Sequence, residues 1–452
     1  MMADTYRLSI SETISEIQNK NISPVDLAET LLSRIDELDP ELKAWVTVDR
    51  EDVLGQAKQS ELDQEHGNIK PLHGVSVGLK DIFYTAGMRT SACSRILSEF
   101  VPDYDATSVV KLREAGAIII GKAVTTEFAS SDPSPSLNPW NLNHTPGGSS
   151  SGSSVAVAAG MCTAALGSQT GGSTCRPAAY NGIVGLKPTY ARISRHGVVP
   201  LSWSLDTVGI LVRSVEDAAL MLQVMSGYDP LDSRSANEPV PNFVEQMIRH
   251  QQAPVVGLLK DFFFEQSTPE VVMHTEQVIE KLAAAGAEIK EITLPDSFKS
   301  SHACQRIVSN VEAATFHREW YKEKADEYGP KIRGNIEMGM LVSGIDYLQA
   351  QRLRRQFRSD MVNILSSVDA LLMPTTPSPA PDNLNTTGDS IFQAPWTSSG
   401  LPTITIPTGL AANGLPLGTQ LAGLPFEEGA LLGVSSWCEQ VLNVDLWPSN
   451  YM

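Results

Sequence analysis

The sequence has few cysteines, and they follow no recognisable pattern. Five cysteines occur among 452 residues, at positions 93, 162, 175, 304 and 438, with no CxxC pair. The eight histidines are equally scattered and show neither HxH nor HExxH spacing. A disulfide framework and a zinc site are therefore not expected, and no metal or other cofactor is predicted. Such cysteine usage favours a reducing compartment, so we expect a cytoplasmic protein.

Basic residues are also scarce. The sequence holds 34 Lys and Arg residues against 52 Asp and Glu residues, so its formal net charge is −18. An acidic surface repels phosphate backbones and anionic lipids, so neither nucleic acid nor a membrane is expected as a partner. Long apolar runs are missing too, because the stretch 155–166 is too short and too rich in small residues to span a bilayer. The first residues show no basic and apolar regions of a secretory signal.

Hydrophobic periodicity predicts an α/β fold. Residues 8–65 follow helical spacing, with a helix start signal at Ser23-Pro24. Residues 75–79 alternate like a strand, and a helix over 109–115 and a buried strand over 117–120 follow. This β–α–β order predicts an α/β fold in which a large, mixed and mostly central β-sheet is flanked by helices on both faces.

The second half of the sequence continues this pattern with more variation. A further β–α–β unit is predicted over 255–294, then helices over 301–364, then strands at 370–374, 402–407 and 417–422. We therefore expect four segments along the chain. They are an N-terminal helical segment packed on the core (1–70), a core (71–230), a variable helical and α/β lobe that contributes to the substrate pocket (231–364), and a C-terminal return to the core sheet (365–452).

Two familiar motifs occur, but their surroundings argue against their usual functions. Residues 116–123 fit the GxxxxGK part of a phosphate-binding loop, yet Ala123 stands where Ser or Thr would bind magnesium, and 118–120 belong in a strand. Residues 148–152 fit GxSxG with Ser150 at its centre, but that motif needs a strand directly before it. The residues actually before it are typical of a turn. We therefore expect neither a nucleotide site nor a nucleophile elbow.

Lys80, Ser149 and Ser173 remain as candidates for catalysis. A serine hydroxyl is a poor nucleophile and needs a neighbouring base. A lysine serves as that base when burial lowers its pKa, and Lys80 directly follows an apolar strand. Gly171 and Gly172 allow the backbone before Ser173 to turn its N–H groups toward an oxyanion. Each feature alone is more typical of an ordinary loop, so these residues by themselves leave the alternatives open.

From Gly74 to Asp206 the sequence resembles the amidase signature family, the serine–cis-serine–lysine amidases. The resemblance is carried by ordered motifs: GVSVGLKD (74–81), GK (121–122), TEFA (126–129), TPGGSSSGS (145–153), GSQTGGS (167–173), RPA (176–178), GLKPT (185–189) and SWSLD (202–206). Weaker similarity continues in APW (394–396), GLP (400–402) and GLPLGTQ (414–420). The order and spacing of these motifs indicate membership of the family.

The resemblance implies a role for individual residues. It implies Ser173 as the nucleophile, Ser149 as a bridging serine that follows a cis peptide bond, and Lys80 as the base. The implied oxyanion donors are backbone N–H groups of one loop, those of Thr170, Gly171, Gly172 and Ser173. The implied supporting residues lie beside them: Gly148, Ser150, Gln169 and Arg176. Gln169 departs from the Asp or Glu that many members carry at its position.

The implied reaction is hydrolysis of a carboxylic amide to an acid and an amine or ammonia, through an acyl-enzyme on Ser173. No cofactor takes part in it. Two alternatives stay open, a carbamate or ester hydrolase with the same triad, and the amide-donating component of a glutamine-dependent amidotransferase. The expected partner is a small-molecule amide, or a carbamate or ester. The sequence is compatible with a homodimer but does not fix the oligomeric state.

Apolar residues outside the family motifs are predicted to wall the substrate pocket. Six of them fall in the helical region 301–345 and one follows it: Ile307, Phe316, Trp320, Met338, Met340, Leu341 and Trp396. A wall of this composition would suit an aryl or alkyl acyl group.

Overall fold

In the computed structural model, which describes residues 5–451, eleven strands form one sheet. In chain order they are β1 (Trp45–Val48), β2 (Ser76–Lys80), β3 (Ile118–Ala123), β4 (Ala164–Gln169), β5 (Val184–Lys187), β6 (Thr207–Val212), β7 (Val255–Leu258), β8 (Glu288–Glu291), β9 (Ala370–Pro374), β10 (Thr403–Leu410) and β11 (Pro416–Ala422).

Fourteen α-helices accompany the strands in the described part of the chain. They are α1 (Ile10–Gln18), α2 (Pro24–Leu42), α3 (Arg50–Glu65), α4 (Thr107–Glu114), α5 (Ser151–Ala158), α6 (Cys175–Asn181), α7 (Val215–Met225), α8 (Phe243–Arg249), α9 (Pro269–Ala284), α10 (Ser301–Lys324), α11 (Pro330–Leu341), α12 (Gly344–Leu365), α13 (Ala394–Ser399) and α14 (Glu428–Leu442). The predicted α/β class, with a large mixed sheet, is confirmed.

The sheet contains two parallel groups joined by an antiparallel centre. Its strands lie in the order β1-β3-β2-β4-β6-β5-β10-β11-β9-β7-β8. β3, β2 and β4 run parallel to one another, and so do β9, β7 and β8. The strands from β4 through β6, β5, β10 and β11 to β9 pair antiparallel. β1 adds an antiparallel edge next to β3.

Both faces of the sheet are covered, because successive residues of its central strands are buried on opposite sides. Leu166 of β4 and Ile210 of β6 belong to one hydrophobic cluster, which also contains residues of α7 and α14. Their neighbours Ala165 and Leu211 belong to a second cluster, with residues of α2 and α5. Helices therefore cover each side, which is the arrangement expected for strands that read as continuous apolar runs.

The first long helix starts where the sequence predicts. α2 follows Ser23 directly, and the Ser23 side chain accepts a hydrogen bond from the backbone N–H of Asp26. Pro24 occupies the first turn, where its missing N–H and fixed φ cost nothing. The helix ends before Lys43, which adopts a left-handed conformation with φ of 52°.

The sequence predicts helices throughout 8–65, and this prediction was wrong at residues 45–48, which form strand β1. Its four residues pair antiparallel with β3 between two helices. Four residues are too few to show the alternation that identifies a strand, so the pairing partner decides their conformation. Helix α5 begins at Ser151, within a segment rich in glycine and serine. There the backbone N–H of Gly152 donates to the carbonyl of Val124, and tertiary packing outweighs low helix propensity.

The region predicted as a variable lobe, 231–364, shares the central sheet. Its strand β7 pairs with β9, and β8 pairs with β7 at the far edge. Its long helix α10 packs against α11, α12 and α13. The four predicted segment boundaries stay a prediction, and residues 1–4 of the first segment lie outside the described range.

β2 and β4 position the parts of the candidate site. They are neighbouring parallel strands, so their carboxyl ends lie at the same edge of the sheet. β2 ends at Lys80, and β4 ends just before residues 170–174, which we call the glycine loop and which lead into α6. α5 packs against both strands and directly follows Ser149-Ser150. Three segments distant in sequence thus meet at one place.

Candidate active site

Lys80 is completely buried at the end of β2, and its amine faces two serine hydroxyls. The Nζ atom lies 2.7 Å from Oγ of Ser149 and 2.8 Å from Oγ of Ser168. The Lys80 side chain is 0% exposed, as is that of Ser149. A lysine amine in a dry, polar contact of this kind is suited to exchange a proton with a neighbouring hydroxyl.

Burial changes the titration of this amine. Desolvation lowers the pKa of Lys80 from its ordinary 10.5 to about 7, because the charged form loses its water. The negative charge of Asp206 acts in the opposite direction and raises the pKa of Lys80. The balance leaves a substantial neutral fraction near pH 7, which a base requires.

Ser149 is held by backbone contacts on both sides. The peptide bond between Gly148 and Ser149 is cis, as the resemblance implies. The Ser149 carbonyl accepts hydrogen bonds from Oγ1 of Thr125 at 3.0 Å and from the backbone N–H of Thr126 at 3.2 Å. Arg176 donates from a guanidinium N–H to the Gly148 carbonyl at 2.6 Å. These bonds fix the segment that presents the Ser149 hydroxyl to Lys80.

Ser173 lies in the glycine loop, beside the segment that carries Ser149. The backbone N–H of Ser150 donates to the Ser173 carbonyl at 3.3 Å, so the two segments are directly bonded. The Ser150 hydroxyl in turn accepts a hydrogen bond from the backbone N–H of Ser168 at 3.2 Å. The N–H groups of Gly171, Gly172 and Ser173 donate to no acceptor within residues 5–451. They are therefore available to a ligand beside Ser173.

Gln169 ties the glycine loop to α6 and α13. Its Oε1 atom accepts hydrogen bonds from the N–H groups of Thr174 and Cys175, at 3.0 and 3.1 Å. Its Nε2 atom donates to Oγ1 of Thr397 at 3.1 Å, and Thr397 donates onward to the Gly171 carbonyl at 2.7 Å. A glutamine uses both ends of its amide here, one as acceptor and one as donor.

Asp206 is hydrogen-bonded to the glycine loop through Thr170. Oγ1 of Thr170 lies 2.5 Å from Oδ1 of Asp206, and the N–H groups of Leu201 and Ser202 donate to Oδ2. Burial raises the pKa of Asp206, while these hydrogen bonds act to lower it. Asp206 thus holds the glycine loop through Thr170, and its charge also raises the pKa of Lys80.

Three residues that contact the site were not predicted from the sequence. Ser168, Asp206 and Gln305 each touch the site, the last through a bond from its Nε2 atom to the Thr170 carbonyl at 2.9 Å. Ser168 and Asp206 lie within predicted motifs, but their role depends on which strands are neighbours. Gln305 lies on α10, and no local signal connects that helix with the glycine loop.

A cavity of about 750 Å³ opens above Ser173. Its walls come from the glycine loop, α10, the start of α11 and residues 386–391. The predicted apolar wall was wrong, because none of the seven apolar residues proposed for it lines this cavity. Trp396 is fully buried in the core, and Met338, Met340 and Leu341 are exposed elsewhere. Helical spacing identifies an apolar residue but not the space that it faces.

The described range contains neither a metal centre nor a membrane-spanning helix. Among residues 5–451, no three His, Cys, Asp or Glu side chains are grouped so that they could hold a metal ion. None of the helices in this range is both long and apolar enough to cross a membrane.

The chain is similar to a known protein family and to several known proteins. The family described as Amidase matches residues 26–432. The A subunit of the glutamyl-tRNA(Gln) amidotransferase from Geobacter sp. (strain M21) is 40% identical over 95% of this chain and 96% of its own length. The native peptide amidase of Stenotrophomonas maltophilia is 29% identical, with a TM-score of 0.87 over 99% of this chain and 98% of the other.

A further solved structure is still more similar in shape. It belongs to a vestigial protein complex that reveals the evolutionary origins of an s-triazine catabolic enzyme. Its TM-score is 0.90 at 28% identity, over 96% of this chain and 98% of the other. Similarity to these three proteins extends over nearly the whole length of each.

Proposed function

The chain belongs to the amidase family, and on that premise we propose that it cleaves a carboxylic amide through an acyl-enzyme on Ser173. Ser149 and Lys80 form the proton relay. The observation that carries the proposal is the buried Lys80 amine, 2.7 Å from the Ser149 hydroxyl and with a pKa of about 7. The bonded segments of Ser149 and Ser173 support the second half of the relay.

Acylation begins with neutral Lys80. The amine takes the proton of Ser149, and Ser149 takes the proton of Ser173 as its Oγ attacks the amide carbon. The resulting tetrahedral oxyanion is stabilised by the free N–H groups of Gly171, Gly172 and Ser173. One such donor contributes about 2.7–4 kcal/mol in the transition state.

Breakdown of this intermediate reverses the proton path. The carbon–nitrogen bond breaks, and the departing nitrogen receives a proton from Ser149, which is replenished from the Lys80 ammonium. An ester on Ser173 remains. Water then attacks the ester, gives its proton to the relay and releases the acid, so the relay ends in its starting state.

Loss of the nucleophile tests this proposal. We expect Ser173→Ala to lower ammonia release from a panel of aliphatic, aryl and peptide amides by at least about 10³-fold, because relay members act as one unit. Ser131→Ala is the matched control, since Ser131 lines the same cavity outside the relay. Near-normal turnover by Ser173→Ala on any amide that the wild type cleaves would refute the assignment.

The same relay also supports a second function, that of the amide-donating component of an amidotransferase. Curated relatives 34–40% identical to the chain are named as the A subunit of glutamyl-tRNA(Gln) amidotransferase. In this setting the amide is glutamine and the released ammonia passes to an acceptor held by a partner. A chain with a net charge of −18 would leave tRNA binding to that partner.

Partner dependence separates the two functions. An amidotransferase component is expected to show weak glutaminase activity by itself and to gain activity when the co-purified partner and the ammonia acceptor are present. A self-sufficient amidase is expected to hydrolyse simple amides at full rate as the isolated chain. Measuring ammonia release from glutamine and from the amide panel, with and without partner, distinguishes them.

Carbamates and esters form the same acyl-enzyme and are the third possibility. An aryl amide, the matching carbamate and the matching ester, assayed with the same protein, give three values of kcat/KM. A kcat/KM for the amide that is higher than its lower intrinsic reactivity predicts supports the proposal. Turnover of the carbamate or the ester alone would instead assign the chain as a carbamate or ester hydrolase.

A further inference from the structure

A buried carboxylate on α10 takes no part in the proton relay. Glu312 follows Cys304 and Val308 at intervals of four residues, and these two apolar residues pack on Leu205 and Ala350. Glu312 is 0% exposed. A carboxylate that continues an apolar side of a helix is costly unless it is paired or hydrogen-bonded. Its hydrogen-bond partners therefore indicate what it does.

Glu312 accepts hydrogen bonds from two separate segments. Its Oε2 atom accepts from the Ser202 hydroxyl at 2.6 Å and from the backbone N–H of Ser204 at 2.9 Å. Its Oε1 atom accepts from the Ser204 hydroxyl and, at 2.7 Å, from the hydroxyl of Tyr347 on α12. Both carboxylate oxygens thus hold residues 202–204, the segment that leads to Asp206.

Ser202 and Asp206 are bonded to each other twice. The Ser202 N–H donates to Oδ2 of Asp206 at 2.9 Å, and the Asp206 N–H donates to the Ser202 carbonyl at 2.8 Å. Oδ1 of Asp206 accepts from the Thr170 hydroxyl. A continuous hydrogen-bond path therefore leads from Glu312 through Ser202 and Asp206 to Thr170 in the glycine loop.

α10 holds Thr170 at a second point. Gln305 donates to the Thr170 carbonyl at 2.9 Å. Glu312 lies seven residues further along the same helix, which corresponds to two turns. The helix that lines the cavity thus contacts the carbonyl of Thr170 directly and its hydroxyl through the path from Glu312. Both contacts fix the glycine loop relative to the cavity wall.

Arg354 of α12 holds the same segment from its carbonyl side. Its guanidinium donates to the Ser204 carbonyl at 3.1 Å and to the Ser398 carbonyl of α13 at 2.9 Å. Burial lowers the pKa of Arg354, and the charge of Glu312 acts against that shift. Ser204 is thus fixed through its N–H and hydroxyl by a carboxylate and through its carbonyl by a guanidinium.

We propose that Glu312 is a positioning residue for the cleavage reaction. Through Ser202 and Asp206 it sets the position of Thr170, and with it that of the glycine loop that carries Ser173. The proposal rests on the function proposed above and adds a residue that acts without touching the substrate. Oxyanion donors act only within a narrow range of distances, so a small displacement of this loop lowers kcat.

Two matched variants separate positioning from general stabilisation. Ser202→Ala and Tyr347→Phe each remove one hydroxyl that donates to Glu312, at 2.6 and 2.7 Å. Only Ser202 lies on the path to Asp206. We expect Ser202→Ala to lower kcat for a simple amide about tenfold with little change in KM, and Tyr347→Phe to leave both constants within about twofold. Equal losses of kcat in the two variants, or a change in KM alone, would overturn the proposal.

A double-mutant cycle with Thr170→Val tests the path itself. Valine retains the shape of threonine but cannot donate to Asp206, so the path is broken at its last bond. In this background Ser202→Ala should lower kcat by less than about twofold, because both changes interrupt the same path. A full tenfold loss in both backgrounds would show that Glu312 does not act through Asp206.

Changes at Glu312 itself give a third measurement. Glu312→Gln keeps an amide oxygen that accepts from Ser202, and its kcat should stay within about threefold of the wild type. Glu312→Met removes both acceptors and should lower kcat at least about tenfold. The midpoint of thermal unfolding reports whether each variant folds. Where Glu312→Met does not fold, the comparison of Ser202→Ala with Tyr347→Phe decides. Equal kcat in folded Glu312→Met and Glu312→Gln would contradict the proposal.

Failure of the proposed reaction has a different signature. Should Ser173 not be the nucleophile, Ser173→Ala continues to release ammonia, whereas the path from Glu312 is measured without turnover. Hydrogen–deuterium exchange reports how well the backbone of residues 168–176 is held. We expect exchange there to be at least about threefold faster in Ser202→Ala and unchanged in Tyr347→Phe. Unchanged exchange in Ser202→Ala would contradict the assignment of Glu312.

Discussion

The hydroxyl of Thr170 donates to the buried carboxylate of Asp206, with 2.5 Å between Oγ1 and Oδ1. This bond joins the glycine loop to the charge that most strongly opposes the lowering of the Lys80 pKa. One carboxylate thus influences both the position of the glycine loop and the titration of the Lys80 amine.

Replacing Asp206 with Asn separates these effects. In the variant the amide oxygen can still accept from the N–H groups of Leu201 and Ser202, and the amide N–H can donate to the Thr170 hydroxyl. The negative charge is lost, so the pKa of Lys80 should fall further. We expect the acid limb of the kcat/KM profile to move to lower pH. An acid limb that stays in place, measured on one amide between pH 5 and 9, would show that Asp206 does not act on the base.

The wild-type pH profile follows from the same titration. Burial lowers the pKa of Lys80 to about 7, so the neutral, proton-accepting form is lost as the pH falls below that value. Activity should therefore rise through pH 7 and level off above it. A profile that is flat from pH 6 to 9 would contradict a lysine base.

Lys80→Met should remove activity without loss of stability. Methionine fills the space of the lysine stem and avoids the cost of burying an amine. We expect kcat to fall by about 10²–10⁴-fold, the usual contribution of a general base, while the midpoint of thermal unfolding stays the same or rises. A strongly lowered unfolding midpoint would assign Lys80 a structural role instead.

Lys122→Met, in contrast, should lower the stability of the fold. Lys122 is also completely buried, but its Nζ atom lies 3.4 Å from Oδ1 of Asp81, whose side chain is 0% exposed. Burial lowers the pKa of Lys122 to about 8, and the Asp81 charge acts against that shift. Removing the amine leaves Asp81 buried without a cation, which costs about 3–5 kcal/mol. Urea unfolding of the two variants side by side checks the contrast.

Gln169→Glu tests the amide that bridges α6 and α13. A carboxylate still accepts from Thr174 and Cys175 but no longer donates to Thr397. The Thr397 hydroxyl would then turn to the carboxylate and release the Gly171 carbonyl, so we expect kcat to fall about tenfold, equivalent to one lost hydrogen bond. Adding Thr397→Asn restores a donor and should recover part of the loss. Additive losses in the double variant would argue against this coupling.

Much of the site was predictable from the sequence, because it lies in ordered motifs. The positions of Lys80 at a strand end and of Ser173 in a glycine-rich loop follow from local patterns, and the structure brings Lys80 to Ser149. The strands β2 and β3 were similarly marked by their apolar residues, whereas β4 was not predicted. What local patterns could not supply was the order of strands in the sheet, on which the contact between Ser168 and Lys80 depends.

The cavity wall was the least predictable part. Its α10 face consists mainly of polar residues, which the sequence presents as an ordinary solvated surface. Only the packing of α10 across the glycine loop turns that surface inward, through the bond from Gln305. β1 escaped prediction for a related reason, since its partner β3 lies more than 60 residues further along the chain.

The placement of α10 also bears on how such a protein diversifies. The helix lies between β8 and β9 in the chain, apart from the segments that carry Lys80, Ser149 and Ser173. Substitutions on one of its faces would retune which molecules are accepted, while the inherited chemistry on the other side of the cleft is left intact. Under the proposed function, selectivity at this face and the reactive groups would be encoded by separate stretches of the gene, and each could change without the other.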